Sequence, residues 1–154
     1  IGKLRREMPN ITLRTTLIAG FPGETEEQFE DLCNFVKEVQ FDRLGCFAYS
    51  AEENTVAARM ENQIEQEVKE RRAELVMQIQ TGIMAQKQVG QTVRVLCDGV
   101  DDESGLYLCR TAADAPEVDG NVCVSSEEPL YPGEFYDVLV DDSDLYDLYG
   151  TVAK

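Results

Sequence analysis

The chain has 154 residues, 43% of them hydrophobic and 29% charged, enough to bury a core in one ordinary domain or two small ones. No apolar run approaches the roughly 18 residues that span a bilayer, so no membrane segment is expected, and the charged opening IGKLRREMPN lacks the apolar centre of a signal peptide. With 30 acids against 14 Lys and Arg the formal net charge is -16, which repels nucleic acid and anionic lipid, and the absence of His removes the commonest general base and metal ligand.

Taken in chain order, the opening residues read as the end of a helix. With Ile at position 1, a piece of a longer polypeptide is expected. Residues 11–19 (ITLRTTLIA) are rich in β-branched residues and stop at Gly20, which predicts a strand buried on both faces near its end. Phe21-Pro22-Gly23-Glu24 places Pro and Gly at the centre of a type II turn. Thr25 with Gln28 then forms a capping box that opens a helix, whose apolar stripe is Phe29, Leu32, Cys33, Val36 and Val39. Arg43 to Tyr49 predicts a second strand. Glu61 to about Lys87 predicts a long amphipathic helix with Ile64, Val68, Leu75, Ile79 and Ile83 on its buried side.

Two strands joined by a helix form a parallel, right-handed unit, and a parallel pair cannot bury both its faces alone. A place in a larger α/β barrel or sheet is therefore expected. From residue 91 the pattern changes to short strands between Gly, Pro and Asp. They are predicted at 91–97, 106–110, 121–124, 135–139 and 145–152, and fit a small antiparallel barrel of the OB type. Two domains follow, 1–90 and 91–154. Charge divides at the same place: net -4 over residues 1–89, and net -12 over residues 90–154, where Arg94, Arg110 and Lys154 face 15 acids. The five cysteines, 33, 46, 97, 109 and 123, contain no C-x2-C pair and read as reduced, mostly buried thiols of a cytoplasmic protein.

The stretch RTTLIAGFPGETEEQFEDL resembles the fifth strand and following helix of the radical SAM methylthiotransferases. Tyr49-Ser50-Ala51-Glu52-Glu53-Asn54-Thr55 resembles the sixth-strand signature of that family, and the acidic barrel its terminal TRAM domain. The Glu52-Glu53 pair, Asp114 to Gly120 (DAPEVDG) and residues 141–152 are most similar to the RimO-type branch, which methylthiolates the β-carbon of an aspartate in ribosomal protein S-twelve. Ala51, Asn54 and Val56 stand where Pro, Gly and Pro are often found; Asn can supply the left-handed conformation of the Gly.

The resemblance implies SAM and two 4Fe-4S clusters in the whole enzyme, which cleaves SAM at one cluster and transfers sulfur at the other. The cluster cysteines are missing here, so no metal ligand and no catalytic residue is assigned, and the chain by itself is expected to be inactive. By resemblance, Ile18, Gly20, Tyr49 and Ser50 flank the adenosine of SAM. Glu24 reads equally as a helix N-terminal acid or a substrate contact. For the barrel, Asp114, Glu117 and Asp119 are the candidate substrate-binding residues. Three cations in a field of net -12 cannot neutralise the six or so phosphates that useful RNA binding needs, so a basic partner, ribosomal protein S-twelve, is expected, and direct binding to nucleic acid is not. A tRNA methylthiotransferase fragment and a free-standing acidic protein-binding module are the alternatives.

Overall fold

The computed structural model describes residues 1–153; Lys154, which closes the predicted second domain, lies outside them. The chain divides into two compact units, one of residues 1–80 and one starting at Thr81.

In the first unit, α1 (Gly2–Glu7) precedes strand β1 (Arg14–Ala19), helix α2 (Glu26–Val39), strand β2 (Arg43–Ala48), a single 3-10 turn (Ala57–Arg59) and helix α3 (Gln66–Gln88), which runs on into the second unit. β1 and β2 pair in parallel from Arg14 opposite Arg43 to Ala19 opposite Ala48. β1 starts later than the sequence suggests because Leu13 is tied to a loop residue. Its N–H donates to Asp42 Oδ2 at 2.9 Å, and its carbonyl accepts from the amides of Asp42 and Arg43.

α2 begins as its capping box dictates: Thr25 Oγ1 accepts from the Gln28 amide at 3.2 Å, and Gln28 Oε1 accepts from the Thr25 amide at 3.0 Å. Phe29, Val36 and Val39 are buried, with Leu32 and Cys33 half-buried at the margin of the stripe. The helix ends at Gln40, whose amide still donates to the Val36 carbonyl and whose left-handed backbone (φ 51°) then turns the chain away.

α3 departs from its predicted outline in two ways. It starts at Gln66 rather than Glu61, because the preceding residues are held as a loop: Asn62 is left-handed (φ 61°), and the Gln63 amide group donates to the carbonyls of Ala57 and Met60. Its buried stripe is also rotated. Lys69, Arg72, Ala73, Val76 and Gln80 are buried, and so is Ile83 as expected, whereas Leu75 is exposed and Ile64, Val68 and Ile79 are only half-buried. Long-range partners make the burial of polar groups tolerable. The Gln80 side chain donates to the Phe41 carbonyl at 3.0 Å, and both Nη groups of Arg72 are bonded to Glu24 and Glu26 at the start of α2, as described below, while Arg72 Nε and Gln80 Oε1 are buried without a partner among the described residues.

The second unit is a closed five-stranded barrel in the order β3 (Thr92–Val100), β4 (Tyr107–Thr111), β5 (Val122–Ser125), β7 (Leu148–Val152), β6 (Phe135–Ser143), with β6 returning to β3. An α/β region followed by a small OB-like barrel is thus the architecture. Four ladders are antiparallel; the closing contact between β5 and β7 is parallel, a detail that strand periodicity cannot reveal. The barrel is filled by Val95, Cys97, Cys109, Val122, Val124, Leu130, Val138, Val140 and Leu148. Bulges at Cys97–Gly99 in β3 and Val140–Asp142 in β6 bend these longest strands around the closure.

Candidate functional site

The two parallel strands end side by side, and their ends carry the four residues singled out for SAM. The Tyr49 amide donates to the Ala19 carbonyl at 2.8 Å, which extends the ladder by one step and brings Tyr49 next to Gly20. Alternation along the register puts Leu17, Ala19, Leu44 and Cys46 on one face of the pair. Ile18 and Phe47, directly opposed, lie on the other. Ile18 is 56% exposed and Phe47 62% exposed, so this face presents an uncovered apolar ledge.

Beyond the ledge the chain makes the predicted turn. The Glu24 amide donates to the Phe21 carbonyl at 2.9 Å, and Gly23 has the positive φ (86°) that the third residue of a type II turn requires. The Gly23 amide is bonded in turn to the Asn62 carbonyl at 3.0 Å. Gly20 is left-handed (φ 76°), and a Cβ there would run into the Lys69 side chain. Its amide donates to Glu24 Oε1 at 3.0 Å. Of the two readings of Glu24, the structure therefore places its carboxylate within the turn.

The same carboxylate is grasped from α3. Arg72 donates through one Nη to Glu24 Oε1 (2.7 Å) and to the Glu24 carbonyl (3.2 Å), and through the other to Glu26 Oε2 (2.8 Å). The guanidinium lies 5.1 Å from the Phe29 ring centroid. Burial works against the charge of Arg72, but the hydrogen bonds to Glu26 and Glu24 more than offset it and hold its pKa above the ordinary value. Lys69, one turn back on the same helix face, packs its methylenes under Gly20 and sets its ammonium 5.6 Å from the Tyr49 ring centroid.

Tyr49 is only 7% exposed. Its ring meets Phe21 edge-on at 5.3 Å, and its hydroxyl has no hydrogen-bond partner among the described residues. Ser50 is exposed. Ile18, Gly20, Tyr49 and Ser50 thus share one strand-end cluster, but with different characters: an exposed apolar side chain, a sterically locked turn, a buried phenol and a free-standing hydroxyl. In Asn54 the loop beyond has its expected left-handed residue (φ 66°). Lys69 and Arg72 escaped the sequence reading, because isolated basic residues on an amphipathic helix read as solvent-facing. Their i, i+3 spacing was the only available signal.

Thiol chemistry finds no support at this site. Burial pushes the Cys46 thiol up to about 11, with Glu24 adding to it, and burial also raises Cys33. In the barrel the same cause pushes Cys109 up to about 12 and Cys123 to about 11. All five cysteines are free thiols, and among the described residues no group of three or more His, Cys, Asp or Glu side chains is placed to hold a metal ion. The donors present do not fit an iron-sulfur cluster, so no step through one is derived from this chain.

On the barrel, Asp114, Glu117 and Asp119 occupy the loop between β4 and β5. Asp114 Oδ2 accepts from the amide and the hydroxyl of Thr111, both at 2.7 Å, and Asp119 Oδ2 accepts from the Ala115 amide at 2.6 Å. These two aspartates organise their own loop, whereas Glu117, left-handed at φ 61°, is exposed. A second acidic segment, 141–147, runs from the end of β6 into the loop before β7; that loop lifts Leu145 and Tyr146 into solvent and is built around Asp144, which accepts from the amides of Tyr146 and Asp147 and from the Tyr149 hydroxyl. None of the helices among the described residues is long and apolar enough to cross a membrane.

A family model for the TRAM domain matches residues 89–153. Over its whole length the chain is 49% identical to a protein of Parabacteroides distasonis named ribosomal protein uS12 methylthiotransferase RimO, and covers 36% of that protein. Proteins of the same name from Lachnoclostridium phytofermentans and Vibrio cholerae are both 47% identical over 98% and 99% of the chain, which covers 35% and 33% of them. The chain therefore spans about a third of the length of these relatives.

Proposed function

We propose, from the premise that this chain is homologous over its whole length to the C-terminal part of the RimO family of radical SAM methylthiotransferases, that it serves as the SAM-side edge and the substrate-recruiting domain of such an enzyme. On this reading the enzyme is cytoplasmic and methylthiolates the β-carbon of an aspartate in ribosomal protein S-twelve, and the acidic barrel draws in that basic protein.

The observation that carries the cofactor side is the exposed apolar ledge of Ile18 and Phe47 at the ends of the paired strands, from which the chain runs directly into the strand-end turn at Gly20. An exposed apolar pair at the end of parallel strands offers a planar adenine a surface to cover. Ser50 offers an exposed hydroxyl to a polar ligand group and Tyr49 a hydroxyl that is buried and unpartnered among the described residues, while Gly20 keeps the turn low beside them. When bound, SAM supplies a sulfonium whose carbon-sulfur bonds can be broken. On this reading the residues of this chain bind and orient the ligand.

The test uses the full-length enzyme. Tyr49→Phe removes only an unpartnered hydroxyl, so its melting temperature should stay equal or rise, whereas SAM affinity, measured by equilibrium dialysis, should fall severalfold. Unchanged affinity sinks the assignment of Tyr49. For the barrel, capture of purified S-twelve should weaken steeply as salt rises. Capture of tRNA in place of S-twelve would transfer the chain to the tRNA-modifying branch, and capture of S-twelve by the 154-residue chain alone would support a self-sufficient binding module.

A further inference from the structure

We infer that Arg72 of α3 is a positioning residue for the strand-end turn, acting through Glu24 on Gly20, and so presets the surface that the proposed function gives to SAM. The inference rests on that function for its ligand, but its geometry stands without it.

Four observations converge on the turn. The Gly20 amide and Arg72 share one acceptor, Glu24 Oε1, at 3.0 and 2.7 Å, so a single carboxylate oxygen connects the end of β1 to α3. The other Nη of the same guanidinium is fixed by Glu26 in the first turn of α2 at 2.8 Å, and its face by Phe29. Arg72 is 5% exposed and the Glu24 side chain 13%, so the pair is shielded from solvent and salt. One turn earlier on α3, the Lys69 methylenes fill the space that any side chain at Gly20 would need. Neither basic residue extends to the ledge itself. They set the path of the chain between Ile18, which lies on the ledge, and α2.

An arginine is specifically required. Its planar fork serves Glu24 and Glu26 together, whereas a lysine ammonium is a single point charge on a flexible stem. A pair needed only for stability would show its loss in the melting temperature. A positioning pair also changes the turn's own opening and the ligand affinity, and keeping the charge without the fork repairs this only in part.

The experiment compares the full-length enzyme with Arg72→Met, Arg72→Lys and, as control on the exposed neighbouring position, Arg71→Met. Amide hydrogen exchange of residues 20–25 reads the clamp, equilibrium dialysis reads SAM, and thermal melting reads global stability. Arg72→Met should speed exchange across the turn and weaken SAM binding by at least about tenfold, beyond what its melting shift explains. Arg72→Lys should recover the melting temperature but only part of the affinity, and Arg71→Met should match wild type. Unchanged exchange in Arg72→Met, or faster exchange with unchanged SAM affinity, overturns the inference. A wild-type enzyme that binds no SAM sinks the proposed function instead, while the exchange data still decide whether Arg72 clamps the turn.

Discussion

Gly20 meets two separate demands. Its backbone is left-handed, which costs a residue with a side chain about 1–2 kcal/mol, and a Cβ would lie 2.9 Å from the Cβ of Lys69 and closer still to Cγ, an overpacking worth about 1–3 kcal/mol. Gly20→Ala should therefore destabilise the chain by about 2–5 kcal/mol in urea unfolding. Gly20→Ala combined with Lys69→Ala should cost less than the sum of the two single changes, because the second removes Cγ from the clash. A strictly additive pair would show that the Cγ contact adds nothing to the backbone strain and the contact with the Lys69 Cβ. The sequence made the glycine legible, as the residue that closes a β-branched run. It did not make Lys69 legible, since a lysine is read by its charge, whereas here the methylene stem is buried and the ammonium sits against Tyr49.

Elements whose ends are fixed by local chemistry could be read directly, and α2 is the clearest. Both hydrogen bonds of its capping box lie within four residues of chain, so Thr25→Ala should cost about 1 kcal/mol, seen as a lower urea midpoint with an unchanged slope. The buried face of α3 was not legible, because Arg72 and Gln80 find their acceptors 39 or more residues away, and only tertiary contact turns a polar residue inward. The loop into β7 is a third case, governed by a polar contact at short range. There the amide of Asp147, then those of Tyr146 and the Tyr149 phenol, hold the Asp144 carboxyl below its usual range, and Asp144 in return pushes Tyr149 up to about 12. A depressed carboxyl stabilises the fold above its unfolded value near 3.8 and loses that contribution as pH falls through the lower folded value. A raised phenol contributes fully below its unfolded value of 10.0 and loses it as pH rises toward about 12. Absorbance titration should therefore show a phenol that ionises late, and Asp144→Asn should make that phenol ionise earlier. If no tyrosine lags, the Asp144–Tyr149 bond is absent in solution.

Across the whole molecule the charge is uneven: residues 90–154 hold net -12 of the total -16. Part of that acidity is consumed locally, since Asp101, Asp114, Asp119 and Asp144 accept backbone amides within their own loops. Hydrogen bonding of this kind stabilises each carboxylate without removing its charge, so the carboxylates still repel one another across the barrel. Arg110 pairs with Asp98 at 2.8 Å, but this bridge is partly exposed and offsets little of the repulsion. Raising ionic strength from about 0.01 to 0.15 M shortens the screening length from about 30 to 8 Å, enough to separate loops on opposite sides of so small a barrel. Salt should then stabilise the barrel more than the first unit. Composition supplies a probe for each: the chain has no Trp, and Tyr49 is the single tyrosine before residue 90, so tyrosine emission reports mainly the barrel while helical circular dichroism reports mainly α2 and α3. The emission midpoint should rise with added NaCl by more than the dichroism midpoint. Equal shifts would mean that the two units unfold together, and no shift would mean that the acids repel one another too weakly to matter, which would also remove the electrostatic argument for a basic partner.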